Sequence, residues 1–218
     1  DLDAPGRRTG FLRLPHSTHE SAYGWIPIPV AVVANGTGPT VLLVAGNHGD
    51  EYEGQVLLGR LIRELDPARV SGRVLVLPAA NLPAARAGRR TSPLDGGNLN
   101  RLFPGDPEGG VTAQIAHAID SLLLARADAA IDLHSGGSSL LYAPSALARR
   151  GGDEALFARS LAMLKAFGAP FSFIVRPGGL WGGTLSDACA ARGIPQIGTE
   201  LGGGGHAGAE AIRVGARG

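Results

Sequence analysis

Two histidines and one glutamate follow predicted strands in positions that suit metal binding. The stretch VLLVAGNHGDEYEG runs from an apolar strand into His48 and Glu51, whose spacing of three predicts that both side chains share one face where a helix begins. His134 follows the strand-like AAIDL. In open parallel sheets, ligands bind at the carboxyl ends of strands. Two imidazoles and a carboxylate that leave one position to water are typical of a catalytic zinc site, so we predict one Zn²⁺ per chain.

Two further acids are candidates for supporting roles at this site. Asp132 lies two residues before His134, so strand alternation turns both side chains to the same side, where the carboxylate could orient the imidazole. Glu200 ends the strand-like PQIGTE and precedes Leu201 and four glycines. Because hydrolysis needs a group that takes a proton from water and gives one to the leaving amine, we predict Glu200 as the general acid/base. The alternative is a glutamate that belongs only to a glycine-rich turn.

A long polar stretch from Ala79 to Gly110 is predicted to bind the substrate. Loops of this length in a compact domain are usually functional or disordered, and the composition of GGNLNRLFPGD favours function. A guanidinium can bind a carboxylate through two hydrogen bonds and can polarise a carbonyl. The candidates are Arg89, Arg90, Asn98, Asn100 and Arg101. For Arg89 and Arg90 the alternative is a solvated surface side chain.

The rest of the pattern predicts one α/β domain over residues 1–218, with a mostly parallel mixed sheet flanked by helices. The chain is 44% hydrophobic and 18% charged, and its apolar β-branched runs alternate with segments of helical period. The predicted strands are Val30 to Ala34, Val41 to Ala45, Arg73 to Leu77, Ala129 to Leu133, Phe171 to Val175 and Gln196 to Glu200. The predicted helices are Glu53 to Leu65, Val111 to Leu124, Asp153 to Phe167 and Leu185 to Arg192.

Composition argues against several classes of protein. The formal net charge is +1 and no Lys/Arg run occurs, which disfavours nucleic acid and anionic membranes as partners. Lys165 is the only lysine, which excludes a Walker-type phosphate loop. Cys189 is the only cysteine, so an internal disulfide is impossible. Because the N-terminus does not resemble a signal peptide and no apolar run approaches the roughly 20 residues of a membrane span, we expect a cytoplasmic protein.

Other residues are predicted to have structural roles. The segment HSTHE has ligand-like spacing but lies far from any predicted strand end, so we interpret it as solvated. Cys189 falls on a predicted helix without a histidine beside it in sequence, which favours packing over nucleophilic catalysis. Trp25 and Trp181 are predicted to fill the core or the walls of a pocket.

These motifs together resemble the succinylglutamate desuccinylase/aspartoacylase family, a branch of the zinc carboxypeptidase-like fold. The similarity runs from about residue 41 to 205. GNHGDE resembles the first ligand motif of the family and implies that His48 and Glu51 bind zinc, while IDLHSGG resembles the second and implies His134. GTELG matches the segment with the catalytic glutamate, which implies Glu200.

The resemblance also covers the polar loop. AGRR followed by NLNRLFPG matches the substrate loop of the family, which implies that Arg90 polarises the carbonyl and that Asn100 and Arg101 hold the substrate carboxylate. Asn98 departs from the family, because many relatives carry Asp at this place. Family members also usually continue into a small C-terminal β domain that helps enclose the substrate, whereas this sequence stops at Gly218. Either that domain lies outside the sequence or the site is more open.

The resemblance implies zinc-dependent hydrolysis of the amide of a small-molecule N-acyl amino acid. Within the family, GNHGDEYEGQ and the loop motifs are most similar to the Nα-acetyl-2,4-diaminobutyrate deacetylases of ectoine degradation, for which the products would be acetate and 2,4-diaminobutyrate. Asp50 or Asp95 could pair with the side-chain ammonium. The alternatives are a metallocarboxypeptidase of the same fold and a non-catalytic module that binds an amino-acid derivative. The oligomeric state stays open.

Overall fold

A computed structural model describes residues 1–176 and 182–218 of the chain. Its strands are β1 (Gly6–Pro15), β2 (Trp25–Asn35), β3 (Thr40–Ala45), β4 (Gly72–Leu77), β5 (Ala129–His134), β6 (Ser145–Arg149), β7 (Phe171–Val175) and β8 (Gln196–Glu200). Its helices are α1 (Tyr52–Glu64), α2 (Leu82–Ala87), α3 (Val111–Ala118), α4 (Glu154–Phe167), α5 (Leu185–Ala191) and α6 (Ala209–Arg217). Residues 79–110 form the predicted long loop, which contains α2 and a short 3₁₀ turn, Leu99–Arg101.

The eight strands form one mixed sheet in the order β1-β2-β4-β3-β5-β8-β6-β7. The central strands β4, β3, β5 and β8 are mutually parallel, as the alternation of strand and helix predicts. The pairs β1 with β2, β2 with β4 and β6 with β8 are antiparallel. The carboxyl ends of β3, β5 and β8 therefore meet at one edge, which is where the motif residues are placed.

The predicted strands and helices are confirmed to within a few residues, except at three places. The helix predicted from Val111 to Leu124 is regular only to Ala118 and continues as a π turn, Ile119–Leu123, and a 3₁₀ turn, Leu124–Arg126. The strand predicted from Val30 begins earlier, at Trp25. The pattern did not predict β1, β6, α2 or α6.

The early start of β2 has a simple explanation in its sheet neighbours. Pro27 and Pro29 argue against a strand because proline cannot donate a ladder hydrogen bond. In the structure β2 pairs with β4 only over Ala31–Asn35, and both prolines pair with β1 alone. The prolines therefore lie where the strand has a neighbour on one side only, and there their missing N–H groups are tolerated.

Hydrophobic side chains pack on both faces of the sheet. One cluster joins β2, β3 and β4 to α3 and α5, and includes Leu42, Leu75, Ile115, Leu185 and Cys189, all with no exposed surface. A second joins α1 and α6 to the opposite face, with Leu57, Leu58 and Val214 buried. In the described part of the chain every helix is too short or too polar to cross a bilayer.

The structure also tests the predictions for residues that were assigned structural roles. The HSTHE segment lies in the loop between β1 and β2 and is largely exposed, as predicted. Cys189 is buried, as predicted. The prediction for Trp25 is wrong, because the residue is 41% exposed and its ring packs on Phe11 and Arg13 at the edge of the sheet. Trp181 lies outside the described residues.

Candidate active site

The turn between β3 and α1 brings His48 and Glu51 to the edge of the sheet. Both precede the first turn of α1, with Glu51 at its N-cap, instead of sharing a helical face. Gly49 lets this turn pack on α2, because a Cβ at this position would lie 2.0 Å from the backbone carbon of Ala84. The amide of Gly49 also donates a hydrogen bond of 2.8 Å to the carbonyl of Arg89. Packing against the polar loop thus fixes the turn.

His48, Glu51 and His134 converge on one point. The Nδ1 atom of His48 lies 2.6 Å from Oε1 of Glu51, and Nδ1 of His134 lies 2.7 Å from Oε2 of the same carboxylate. One ligand atom from each residue lies within 4.8 Å of the other two. His48 and Glu51 are buried, and the side chain of His134 is 11% exposed. The two imidazole rings therefore share a single carboxylate at the end of β5.

The far nitrogen of each ring is held by an oxygen. Nε2 of His134 lies 2.9 Å from Oδ2 of Asp132. The other oxygen of Asp132, Oδ1, accepts a hydrogen bond from the side-chain amide of Asn47. Nε2 of His48 lies 3.1 Å from Oδ1 of Asn98. Asn98 accepts this contact through oxygen, as an aspartate would, so its departure from the family pattern preserves an acceptor. These contacts fix the orientation of both rings.

Charge pairing dominates the electrostatics of this cluster. Burial raises the pKa of Glu51, but the charges and hydrogen bonds of His134 and His48 outweigh it and hold the pKa well below its usual range. Burial lowers the pKa of His134, but Asp132 and Glu51 raise it well above its usual value. The cluster thus holds an ionised carboxylate between two imidazoles.

The donor set fits a divalent transition metal. Two imidazole nitrogens and a carboxylate are ligands that zinc takes in catalytic sites. Metal-bound histidines commonly donate their second N–H to a carboxylate or carbonyl oxygen, and Asp132 and Asn98 stand in those positions here. The residues present could therefore hold one metal ion through His48, Glu51 and His134.

Glu200 lies beside this cluster as the last residue of β8. It is the register partner of His134 on the adjacent parallel strand β5. Burial raises its pKa to about 7, and Glu51 and Asp132 add to this, whereas His134 and Arg90 oppose it. Its Oε2 atom is buried and accepts no hydrogen bond in the described residues. A carboxyl group with a near-neutral pKa next to the candidate ligands can exchange protons at neutral pH.

Three of the predicted loop residues, Arg90, Asn98 and Asn100, lie at the cluster. Arg90 is half exposed, and its guanidinium lies 3.3 Å from Oε1 of Glu51. The side-chain amide nitrogen of Asn100 lies 3.1 Å from Nε2 of His134, while its oxygen accepts a hydrogen bond from the amide of Leu185. Arg101 donates a hydrogen bond to the carbonyl of Asn100. The loop therefore contacts all three candidate ligands.

Sequence reasoning missed two residues near the cluster. Asn47 contacts Asp132, and its only signal was its place inside GNHGDE. The backbone amide of Tyr142 donates a hydrogen bond of 2.9 Å to the carbonyl of Gly202, two residues after Glu200. This bond brings Tyr142 close to Glu200. Burial and the charge of Glu200 raise the pKa of Tyr142. Nothing in the sequence pattern marked this tyrosine.

The two acids suggested for an ammonium group accept hydrogen bonds from other segments of the chain. Asp50 is buried and accepts hydrogen bonds from the amide and hydroxyl of Ser138, at 2.9 and 2.7 Å. Asp95 accepts hydrogen bonds from the amide and hydroxyl of Thr112 where α3 begins, both at 2.7 Å. Both carboxylates therefore have structural partners within the chain.

Comparisons with known proteins agree with the geometry. Residues 37–218 match the family described as succinylglutamate desuccinylase/aspartoacylase catalytic domain. A protein of Halomonas elongata named N-alpha-acetyl-L-2,4-diaminobutyric acid deacetylase is 47% identical over 219 residues, which cover all of this chain and 64% of that protein. The product-bound structure of an ectoine utilization protein from Ruegeria pomeroyi matches with a TM-score of 0.95 and 46% identity, over 99% of this chain and 66% of that one.

A more distant relative has the same architecture. An aspartoacylase family protein from Mesorhizobium loti matches with a TM-score of 0.85 and 36% identity, over 99% of this chain and 67% of that chain. The chain spans just under two thirds of the length of the Halomonas and Ruegeria proteins. Because the family model matches residues 37–218, most of this sequence, the chain belongs to the succinylglutamate desuccinylase/aspartoacylase family.

Proposed function

We propose that this protein is a zinc-dependent hydrolase that cleaves the amide of an N-acyl amino acid, with Nα-acetyl-L-2,4-diaminobutyrate as its substrate. The observation that carries the proposal is the convergence of His48, Glu51 and His134, with one ligand atom from each within 4.8 Å of the others. The substrate follows the name of the Halomonas protein, with which this chain is 47% identical. Residues 1–218 act in this proposal as one catalytic domain.

The ligand residues prepare the site for a metal. Asp132 and Asn98 fix the rings of His134 and His48 so that both Nδ1 atoms face Glu51. A zinc ion held by these three residues would polarise the scissile carbonyl and acidify a water molecule. Burial of the cluster strengthens every charge interaction inside it.

Glu200 moves the protons in this mechanism. In its charged form the carboxylate accepts a proton from the attacking water, and the carboxylic acid then donates that proton to the nitrogen of the leaving amine. The pKa of about 7 suits both directions, because neither form is strongly favoured at neutral pH. Its place next to His134 in the sheet keeps the group beside the ligands.

The polar loop orients the substrate. Arg90, whose guanidinium already lies 3.3 Å from the ligand carboxylate, stabilises the negative charge that develops on the carbonyl oxygen. Asn100 and Arg101 bind the carboxylate of the amino acid. Together they fix the amide between the ligands and Glu200, which supplies the orientation that an amide hydrolysis requires.

A hydrolysis assay with a matched panel tests the proposal. We expect zinc-loaded protein to release amine from Nα-acetyl-L-2,4-diaminobutyrate faster than from Nα-acetyl-aspartate or short peptides with free C-termini. Exposure to a chelator should abolish this activity, and added zinc should restore it. Preferred cleavage of peptides would instead identify a carboxypeptidase. Binding of zinc and substrate without hydrolysis of any compound would identify a non-catalytic binding module.

A further inference from the structure

Four consecutive glycines follow Glu200, the general acid/base of the proposed mechanism. The sequence TELGGGGH places Gly202, Gly203, Gly204 and Gly205 directly after Leu201. All four glycines have positive φ, at 106°, 119°, 71° and 77°. Glycine loses more conformational freedom on folding than any other residue, so a run of four needs specific contacts to hold one conformation.

Glu53 supplies one of these contacts from α1. Its side chain is buried, with 1% of the residue exposed. Oε1 accepts a hydrogen bond of 2.7 Å from the amide of Gly203, across 150 residues of sequence. A Cβ at Gly202 would lie 2.9 Å from the same oxygen, so the glycine run packs closely against the carboxylate. Glu53 thus links the helix that follows Glu51 to the segment that follows Glu200.

The carboxylate is costly to keep in this place. Oε2 of Glu53 is buried and has no hydrogen-bond partner in the described part of the chain. Burial of a polar group without a partner is unfavourable, and an apolar side chain at this position would avoid that cost. Retaining an acid here is therefore explained best by the hydrogen bond that it accepts from Gly203.

Other contacts fix the two sides of the glycine run. The amide of Leu201 donates a hydrogen bond of 2.9 Å to the carbonyl of His134. The carbonyl of Gly202 accepts hydrogen bonds from the amides of Gly136 and Tyr142, at 3.0 and 2.9 Å. These contacts join the run to β5 and to the segment after it. The hydrogen bond to Glu53 joins it to α1, and so completes the support of the backbone that leaves Glu200.

We propose that Glu53 is a positioning residue that holds the Glu200 carboxyl group in place by fixing the backbone of Gly202 and Gly203. The inference rests on the proposed function of Glu200. Glu53 does not contact the substrate in this account. Glu53 contributes to kcat because it keeps the acid/base aligned with the amide. It contributes little to KM, because the polar loop binds the substrate carboxylate.

Two substitutions separate the hydrogen bond from the volume of the side chain. Glu53→Leu fills the space but removes the acceptor, and we expect kcat to fall by up to about 10²-fold with KM and zinc content little changed. Glu53→Gln keeps a carbonyl oxygen for Gly203 and should retain most of kcat. Glu64→Gln makes the same chemical change at an exposed position of α1 and should behave as wild type. Leu58→Ala, a buried truncation on the same helix, controls for lost stability.

Hydrogen exchange provides a readout that does not depend on catalysis. The amide of Gly203 should exchange faster in Glu53→Leu than in wild type, Glu53→Gln or Leu58→Ala. Unchanged kcat in Glu53→Leu, or a Glu53→Gln variant as impaired as Glu53→Leu, would overturn the inference. Equal loss of kcat in Leu58→Ala would also overturn it, by assigning the effect to stability. If wild type hydrolyses no amide, the proposed function fails instead, and unchanged exchange at Gly203 in Glu53→Leu would still refute the positioning role.

Discussion

At the scale of single residues, Glu200 combines position with an adjusted pKa. It neighbours His134 in the sheet register, and burial moves its pKa to about 7. A carboxyl group exposed to water would have a pKa near 4.3 and would be a poor acid at neutral pH. The environment of Glu200 therefore gives it a proton affinity that suits the acid/base role proposed for it.

Replacing Glu200 tests this role. Glu200→Ala and Glu200→Gln should lower kcat by roughly 10²- to 10⁴-fold, because proton transfer loses its positioned group. Zinc content should stay as in wild type, because Glu200 is not among the three ligand residues. Steady-state kinetics and metal analysis on the same preparations provide the check. Turnover near the wild-type rate would remove Glu200 from the mechanism.

The pH dependence of kcat/KM follows from the same group. Glu200 must be charged to accept a proton, so kcat/KM should fall as the pH drops below its pKa. The pKa is raised to about 7, and a divalent cation bound nearby would lower it, so the midpoint of the falling limb should lie at or below about pH 7. In Glu200→Gln this limb should disappear. A limb with the same midpoint in that variant would assign it to another group.

The sequence predicted which residues meet at the site better than it predicted the contacts that they make. His48, Glu51, His134 and Glu200 were identifiable because each lies at or just after the carboxyl end of an apolar strand. Tyr142 was not, because its approach to the site depends on a hydrogen bond with Gly202, which is far away in sequence. The hydrogen bonds of Asp50 and Asp95 were also not predictable. A sequence shows a carboxylate but not the amide and hydroxyl groups that donate hydrogen bonds to it.

At the scale of elements, α5 shows how packing decides the character of a side chain. Cys189 has no exposed surface and packs in the cluster that joins α5 to the sheet. Burial raises the pKa of its thiol, and the charges of Asp132 and Asp120 raise it further. The residue is therefore a small hydrophobic core residue rather than a nucleophile.

Thiol labelling checks this interpretation. Because Cys189 is the only cysteine, a thiol reagent reports on it alone. We expect negligible reaction in the native protein and rapid labelling of about one thiol per chain after denaturation, since the thiolate forms only when the side chain meets water. Rapid labelling of the native protein would show that α5 does not pack as described.

The two strands that the pattern missed, β1 and β6, each have a physical explanation. Strand β1 carries Arg7, Arg8 and Arg13 and is mostly exposed, so it lacks the apolar run of a central strand. Strand β6 is short, and its burial comes from α4 and β8, which a local pattern does not show. The central strands β3, β4, β5 and β8 are apolar because both faces are covered, and this made them predictable.

At the scale of the whole molecule, the parallel centre of the sheet creates the site. Strands β3, β5 and β8 are distant in sequence. Because they are parallel neighbours in the sheet, their carboxyl ends bring His48, His134 and Glu200 to one edge. The chain covers 64% of the Halomonas protein and 66% of the Ruegeria chain. The three candidate ligands all lie within the shared segment, so the metal site can be tested on this chain directly.

The most direct test is the zinc content of wild type beside that of ligand variants. Because the three ligand atoms lie within 4.8 Å of one another, wild type should hold about one zinc ion per chain after dialysis against zinc-free buffer. His134→Ala and Glu51→Ala should lose it, and Glu200→Ala should keep it. Wild type without bound metal after zinc loading, or ligand variants that retain a full equivalent, would contradict the account.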